Sequence, residues 1–110
     1  MGNNRGTEYS WGHKTLDSTK DNEYWNFHWG HMGLYDDRAN IEAIKNVSGE
    51  DKIFYVGYSQ GTIQMHYALT HDDDSFFGNN LHKIVNLAPC FVVNAPDIMR
   101  MYFDHTVMHF

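Results

Sequence analysis

Gly57-Tyr58-Ser59-Gln60-Gly61 places a hydroxyl between two glycines, each two residues away from it. A serine hydroxyl is a weak nucleophile until a base takes its proton, and the oxyanion formed when it attacks a carbonyl needs donors already in place. Acyl transfer is the chemistry such a residue serves. The G-x-S-x-G spacing has this meaning where a strand precedes it and a helix follows. There the serine is forced into a strained conformation at the C-terminal edge of a sheet, and small residues on either side let strand and helix pass closely. The backbone N–H of Gln60, opening the helix, then faces a developing negative oxygen. The competing reading is a glycine-rich turn of a nucleotide-binding sheet with Ser59 as a helix N-cap, but no G-x-G-x-x-G or Walker lysine accompanies it.

The elements that must position Ser59 are legible around it. Ile53, Phe54, Tyr55 and Val56 form a consecutive β-branched and aromatic run within Lys52 to Gly57, as in a parallel strand covered on both faces. Gln60 to His71 reads as a helix with Ile63, Tyr67 and Thr70 on one side, and Lys83 to Ala88 as a second buried strand closed by Pro89. Strand, helix, strand at this separation is a βαβ unit and requires a parallel sheet, hence an α/β fold. Upstream, Ile41, Ile44 and Val47 recur at helical spacing from Asp36 to Val47, with Gly49 where the helix should stop. Residues 1–22 are polar and turn-rich, and Asp72-Asp73-Asp74 reads as a solvated turn or helix end.

Composition bounds the partners. The 110 residues suit one domain, with 42% hydrophobic and 20% charged residues typical of a globular chain. A net charge of −6 without a basic patch argues against nucleic acid. Eight histidines outnumber the net negative charge, so acid reverses its sign and suits an acidic compartment. Cys90 is the single cysteine, which excludes an internal disulfide and cysteine-rich zinc sites. The N-terminus carries no apolar signal-peptide core, and no stretch approaches the roughly 20 apolar residues of a membrane span.

Other titratable residues have plainer readings. His28 and His31 share metal-ligand spacing without a third ligand, so packed or surface histidines account for them and no metal is assigned. His66 lies seven residues along a helix from Ser59, about 10 Å of rise and beyond hydrogen-bond reach. Asn46-Val47-Ser48 is an N-glycosylation sequon on an exposed connection, or simply a helix end. Asp97 or Asp104, followed by His105 or His109, completes the chain order Ser, Asp, His of the α/β-hydrolases.

GNNRG at Gly2 to Gly6, Tyr9-Ser10 followed by His13-Lys14-Thr15-Leu16, EYWNF at Glu23 to Phe27, MGLYD ending at Asp36, NVSG at Asn46 to Gly49, YVGYSQGT at Tyr55 to Thr62 and LAP at Leu87 to Pro89 follow one another along the chain. In order and spacing this pattern resembles the acid lipases, the lysosomal and gastric neutral-lipid hydrolases of the α/β-hydrolase fold, over nearly the whole chain. The resemblance implies hydrolysis of carboxylic esters in acylglycerols or sterol esters at a lipid–water interface, without metal or organic cofactor, in a secreted or lysosomal protein. It matches Ser59 to the nucleophile and Gln60 to one oxyanion donor, with Gly57 and Gly61 as the elbow glycines.

The resemblance also implies that the second oxyanion donor lies upstream of Gly2 and that the family's aspartate and histidine lie beyond Phe110. Residues 1–110 are then a central fragment of a longer lipase, a partial α/β-hydrolase domain inactive alone. Asp97, Asp104, His105 and His109 fall where the family's cap or lid begins, and the Met- and Phe-rich stretch from Phe91 to Phe110 reads as part of it or as core packing. Gly30, His31 and Gly33 replace acidic and small helix-forming residues, which predicts a shortened or broken helix before Asp36. Tyr58 stands where a histidine is common beside the nucleophile. A noncatalytic truncated remnant, or a thioesterase or peptidase on the same fold, are the alternatives.

Overall fold

The computed structural model describes residues 1–90. Phe91 to Phe110, with Asp97, Asp104, His105 and His109, lies outside the described residues.

The polar N-terminal segment folds back on itself through turns. Arg5 fixes it: its backbone N–H and Nε donate to the Asp36 carboxylate at 2.9 and 2.8 Å, and its Nη2 lies 2.7 Å from the same group. Its guanidinium also sits over the rings of Phe27 and Tyr35, at 5.8 and 5.5 Å from their centroids. Charge, fork geometry and stacking thus tie residues 31 apart in sequence. His13 serves a local turn, its Nδ1 accepting from the backbone N–H groups of Thr15 and Leu16.

After a short 3-10 turn at Asn22–Trp25 the chain is helical without a break from Trp29 to Ser48, as α1 (Trp29–His31), a wide π-helical turn at Met32–Asp37 and α2 (Arg38–Ser48), so the expected shortening or break before Asp36 is corrected to a widened turn. The glycine at 33 has a packing reason that a helix-propensity argument misses. A Cβ there would stand 2.3 Å from the backbone oxygen of Gln64, so only glycine admits the neighbouring helix this closely. Gly49 terminates α2 at φ 74, the left-handed cap expected of it.

Strand β1 (Ile53–Tyr58) then leads into α3 (Gln60–Thr70), α4 (Phe76–Asn80) and β2 (Leu81–Leu87). The two strands pair in parallel, with Val56 opposite Val85 and Tyr58 opposite Leu87, as the βαβ reading requires. The short helix α4 was not expected, and the acidic run explains it. Asp72 accepts from the N–H groups of Phe77 and Gly78 and Asp74 from that of Phe76, satisfying donors that a helix start leaves open.

Ile41, Met65, Ala68, Phe77 and Leu81 form the buried core, with Ile53, Tyr55, Leu69, Phe76 and Ile84 packed against it. Two expectations are corrected. The buried side of α3 is Thr62, Gln64, Met65 and Ala68, not the side of Ile63, Tyr67 and Thr70, because α3 is clasped by both the sheet and the π-turn. The strands are covered on one face among the described residues: alternation turns Phe54, Val56 and Tyr58 of β1, with Val85 and Leu87 of β2, to solvent. Of the α2 stripe, Ile41 is buried, whereas Ile44 is exposed and Val47 is 91% exposed.

Gly33→Ala should lower stability by about 1–3 kcal/mol through overpacking against the Gln64 backbone, measured as a shift of the urea unfolding midpoint with unchanged slope.

Candidate active site

Ser59 sits between β1 and α3 with φ 50 and ψ −114, a positive φ that residues with a Cβ rarely adopt. Hydrogen bonds on both sides of the turn hold it there. Its N–H donates to the carbonyl of Leu87, the last residue of β2, at 3.0 Å. Its carbonyl accepts from the N–H and the hydroxyl of Thr62, at 3.0 and 2.7 Å. The Ser59 side chain makes no capping bond to α3, so the N-cap reading does not describe it; Thr62 closes the first turn instead.

The two glycines of the motif differ in what they permit. A Cβ on Gly57 would lie 2.9 Å from the Gly61 carbonyl oxygen and 2.9 Å from Tyr55 Cε1. Gly57 is therefore the position at which the strand and helix backbones meet. A Cβ on Gly61 would meet nothing nearer than the Tyr55 hydroxyl at 3.6 Å, an ordinary contact, so the expectation that both glycines are sterically required is corrected.

Gln60 opens α3, where backbone N–H groups lack intrahelical acceptors and the helix dipole favours negative charge. Its side chain is turned to Met32, whose Sδ accepts from Gln60 Nε2 at 3.3 Å and from Gln64 Nε2 at 3.1 Å. Among the described residues the side-chain partner of Ser59 Oγ is Cys90, with Oγ and Sγ 3.8 Å apart and either able to donate. Cys90 reaches the site because its N–H donates to Thr62 Oγ1 at 3.1 Å. His66 faces elsewhere, its Nε2 3.0 Å from Asn86 Nδ2. A cleft of about 740 Å³ beside β1 is walled by Met32, Asp37, Tyr58, Gln60 and Gly61 but not by Ser59.

Beneath the turn lies a polar chain that the sequence did not disclose. Tyr55 donates its hydroxyl proton to the Gly61 carbonyl at 2.8 Å, and its oxygen is 3.3 Å from Asp37 Oδ2. Asp37 is buried, and burial pushes its carboxyl up to about 7, with the Asp36 charge adding to the rise and the Tyr55 bond opposing it. Burial also pushes the Tyr55 phenol upward.

His28 and His31 prove to be a cap. His28 Nδ1 accepts from the Gly30 N–H and His31 Nδ1 from the His28 N–H, with the rings 4.0 Å apart. Burial, and then the His28 charge, lower the His31 pKa. No group of three or more metal-ligating side chains occurs among the described residues. Asn46 lies exposed in the last turn of α2. No described helix is long and apolar enough to cross a membrane.

Strand, helix and strand on a parallel sheet define a partial α/β fold, with a strained serine at its strand-to-helix turn. No protein-family model matches the chain. Curated relatives do. Lipase lipl-3 of Caenorhabditis elegans is 37% identical over 105 residues, covering 96% of this chain and 26% of its own length. Triacylglycerol lipase 1 of Arabidopsis thaliana is 38% identical over 105 residues, with the same two coverages, 96% and 26%. Lysosomal acid lipase/cholesteryl ester hydrolase of Homo sapiens is 47% identical over 62 residues, 56% of this chain and 15% of its own length. The chain is thus related to the acid lipase family, and it spans about a quarter of the length of the first two of these relatives.

Gly57→Ala should cost about 1–3 kcal/mol by overpacking, whereas Gly61→Ala should be neutral or gain up to about 1 kcal/mol of helix propensity. Parallel urea titrations of the two variants separate these outcomes.

Proposed function

We propose that the chain is the nucleophile-bearing part of a serine carboxylic-ester hydrolase, a lipase acting on acylglycerols or sterol esters. The observation that carries this reading is the positive φ of Ser59 at a strand-to-helix turn, in a chain whose relatives bear the name lipase. Ser59 attacks the ester carbonyl and forms an acyl-enzyme as the alcohol leaves; water then releases the acid. The Gln60 N–H serves as one donor to the oxyanion, as its place at the helix start allows. Gly57 sets the elbow by admitting the Gly61 carbonyl.

The base and acid that activate Ser59 are assigned outside residues 1–110, and among the described residues no histidine or carboxylate contacts its Oγ. That contact pattern equally suits a noncatalytic remnant that retains the elbow geometry. Residues 1–110 form one partial α/β-hydrolase domain, with Asn46 as a glycosylation site on a secreted or lysosomal protein; its exposure in α2 supports access by a transferase.

Hydrolysis of p-nitrophenyl butyrate and a long-chain ester by the chain and its Ser59→Ala variant, at pH 5 and pH 7, tests this. The chain should be indistinguishable from the variant, since removing a triad base costs roughly 10⁶ in turnover. In a longer protein containing the chain, Ser59→Ala should cost a similar factor. Ser59-dependent turnover by residues 1–110 alone would instead place Asp and His within Phe91 to Phe110. Full activity of Ser59→Ala in the longer protein would refute the nucleophile assignment.

A further inference from the structure

The hydrogen-bond arithmetic under the elbow does not balance for both protonation states of Asp37. Tyr55 has one hydroxyl proton and two acceptors within reach, the Gly61 carbonyl at 2.8 Å and Asp37 Oδ2 at 3.3 Å. When Asp37 is protonated, its O–H donates to the Tyr55 oxygen and Tyr55 donates to Gly61, so every group in the chain is satisfied. When Asp37 is ionised, a buried carboxylate competes with a neutral carbonyl for that one proton, and charged acceptors form the stronger bond. Gly61 then loses its side-chain partner, leaving its carbonyl to the bonding within α3, at the point where the helix presses on Gly57.

We propose that Asp37 is a protonation-dependent positioning residue for the serine elbow: with its proton in place, Tyr55 holds the Gly61 carbonyl, and with the proton gone Tyr55 turns to Asp37 and releases it. This rests on the reading of Ser59 as the nucleophile only for its catalytic meaning; the coupling itself needs no reaction.

The surroundings leave few other groups to compete. From β1 the titratable group facing Asp37 is Tyr55; from its own helix it is Asp36, whose charge is met by Arg5 of the N-terminal segment. The first turns of α3 supply Gln60, Gly61 and Gln64, none of which titrates, and Asn40 of α2 is uncharged. The sign follows from burial. The folded carboxyl keeps its proton up to about 7, whereas the unfolded one releases it near its ordinary value of 3.8. Stability from this group is therefore fully present below about 3.8 and is lost progressively as pH rises from there through about 7. An elbow built this way is best held in acid.

Carbon-13 NMR of the 110-residue chain tests both halves, following the Asp37 carboxyl and the Gly61 carbonyl from pH 4 to pH 8.5, with Asp37→Asn and Ser59→Ala as companions. Both signals should titrate together with a midpoint near 7 in the wild-type chain and in Ser59→Ala. In Asp37→Asn, whose amide N–H can replace the acid proton, the Gly61 carbonyl should be invariant over that range. An Asp37 carboxyl titrating near 4, whether from different packing or from an unfolded chain, overturns the proposal. So does a Gly61 signal that ignores the Asp37 titration, which would leave Asp37 as a buried acid without influence on the elbow. Because Ser59→Ala carries the same titration, failure here and failure of the ester-hydrolysis assay are read independently.

Discussion

The fold depends on how closely the backbone of α3 can be approached. Two of its carbonyl groups, those of Gly61 and Gln64, lie where a Cβ on Gly57 or Gly33 would collide with them at 2.9 and 2.3 Å. One contact fixes α3 against β1 and the other fixes it against the π-helical turn. Between them the start of the helix is held on two sides, and Ser59 takes a positive φ in the turn that leads into it.

Around this clamp the polar groups are arranged to leave few orphans. Thr62 satisfies the Ser59 carbonyl and receives the Cys90 N–H, so one hydroxyl joins the elbow to the strand end beyond β2. Met32, reached by both Gln60 and Gln64, stands on the π-turn as a soft acceptor and binds it to the same helix. Arg5 brings the N-terminal segment onto Asp36, next to the residue that reaches Tyr55. Residues far apart in sequence thus converge on the start of α3 and on the π-turn packed against it.

Much of this was legible in local sequence. The run Ile53 to Val56, Gly57 before Ser59, the apolar run before Pro89 and Gly49 after α2 each carry a backbone requirement that one residue type announces, and β1, α3, β2 and the end of α2 fell near their expected places. The failures have a common cause. Which side of α3 is buried and why Gly33 must be a glycine are set by neighbours distant in the chain, and periodicity cannot report them; what His28 and His31 do is local, but it is decided by side-chain orientation that residue spacing does not carry. Asp37 was invisible for the same reason: an acid beside Asp36 reads as surface charge until the fold places Tyr55 over it. The short helix α4 was missed because side chains of Asp72 and Asp74 create its start, a capping role that an acidic run does not distinguish from solvation.

The sheet face bearing Phe54, Val56, Tyr58, Val85 and Leu87 has a calorimetric consequence. Side chains already hydrated in the folded state contribute nothing to the heat-capacity increment of unfolding, which scales with newly exposed apolar surface. The described part of the chain should therefore have a flatter stability curve than a fully covered domain of equal length, with folding free energy changing little between cold and warm conditions. Its denaturant dependence should be correspondingly shallow.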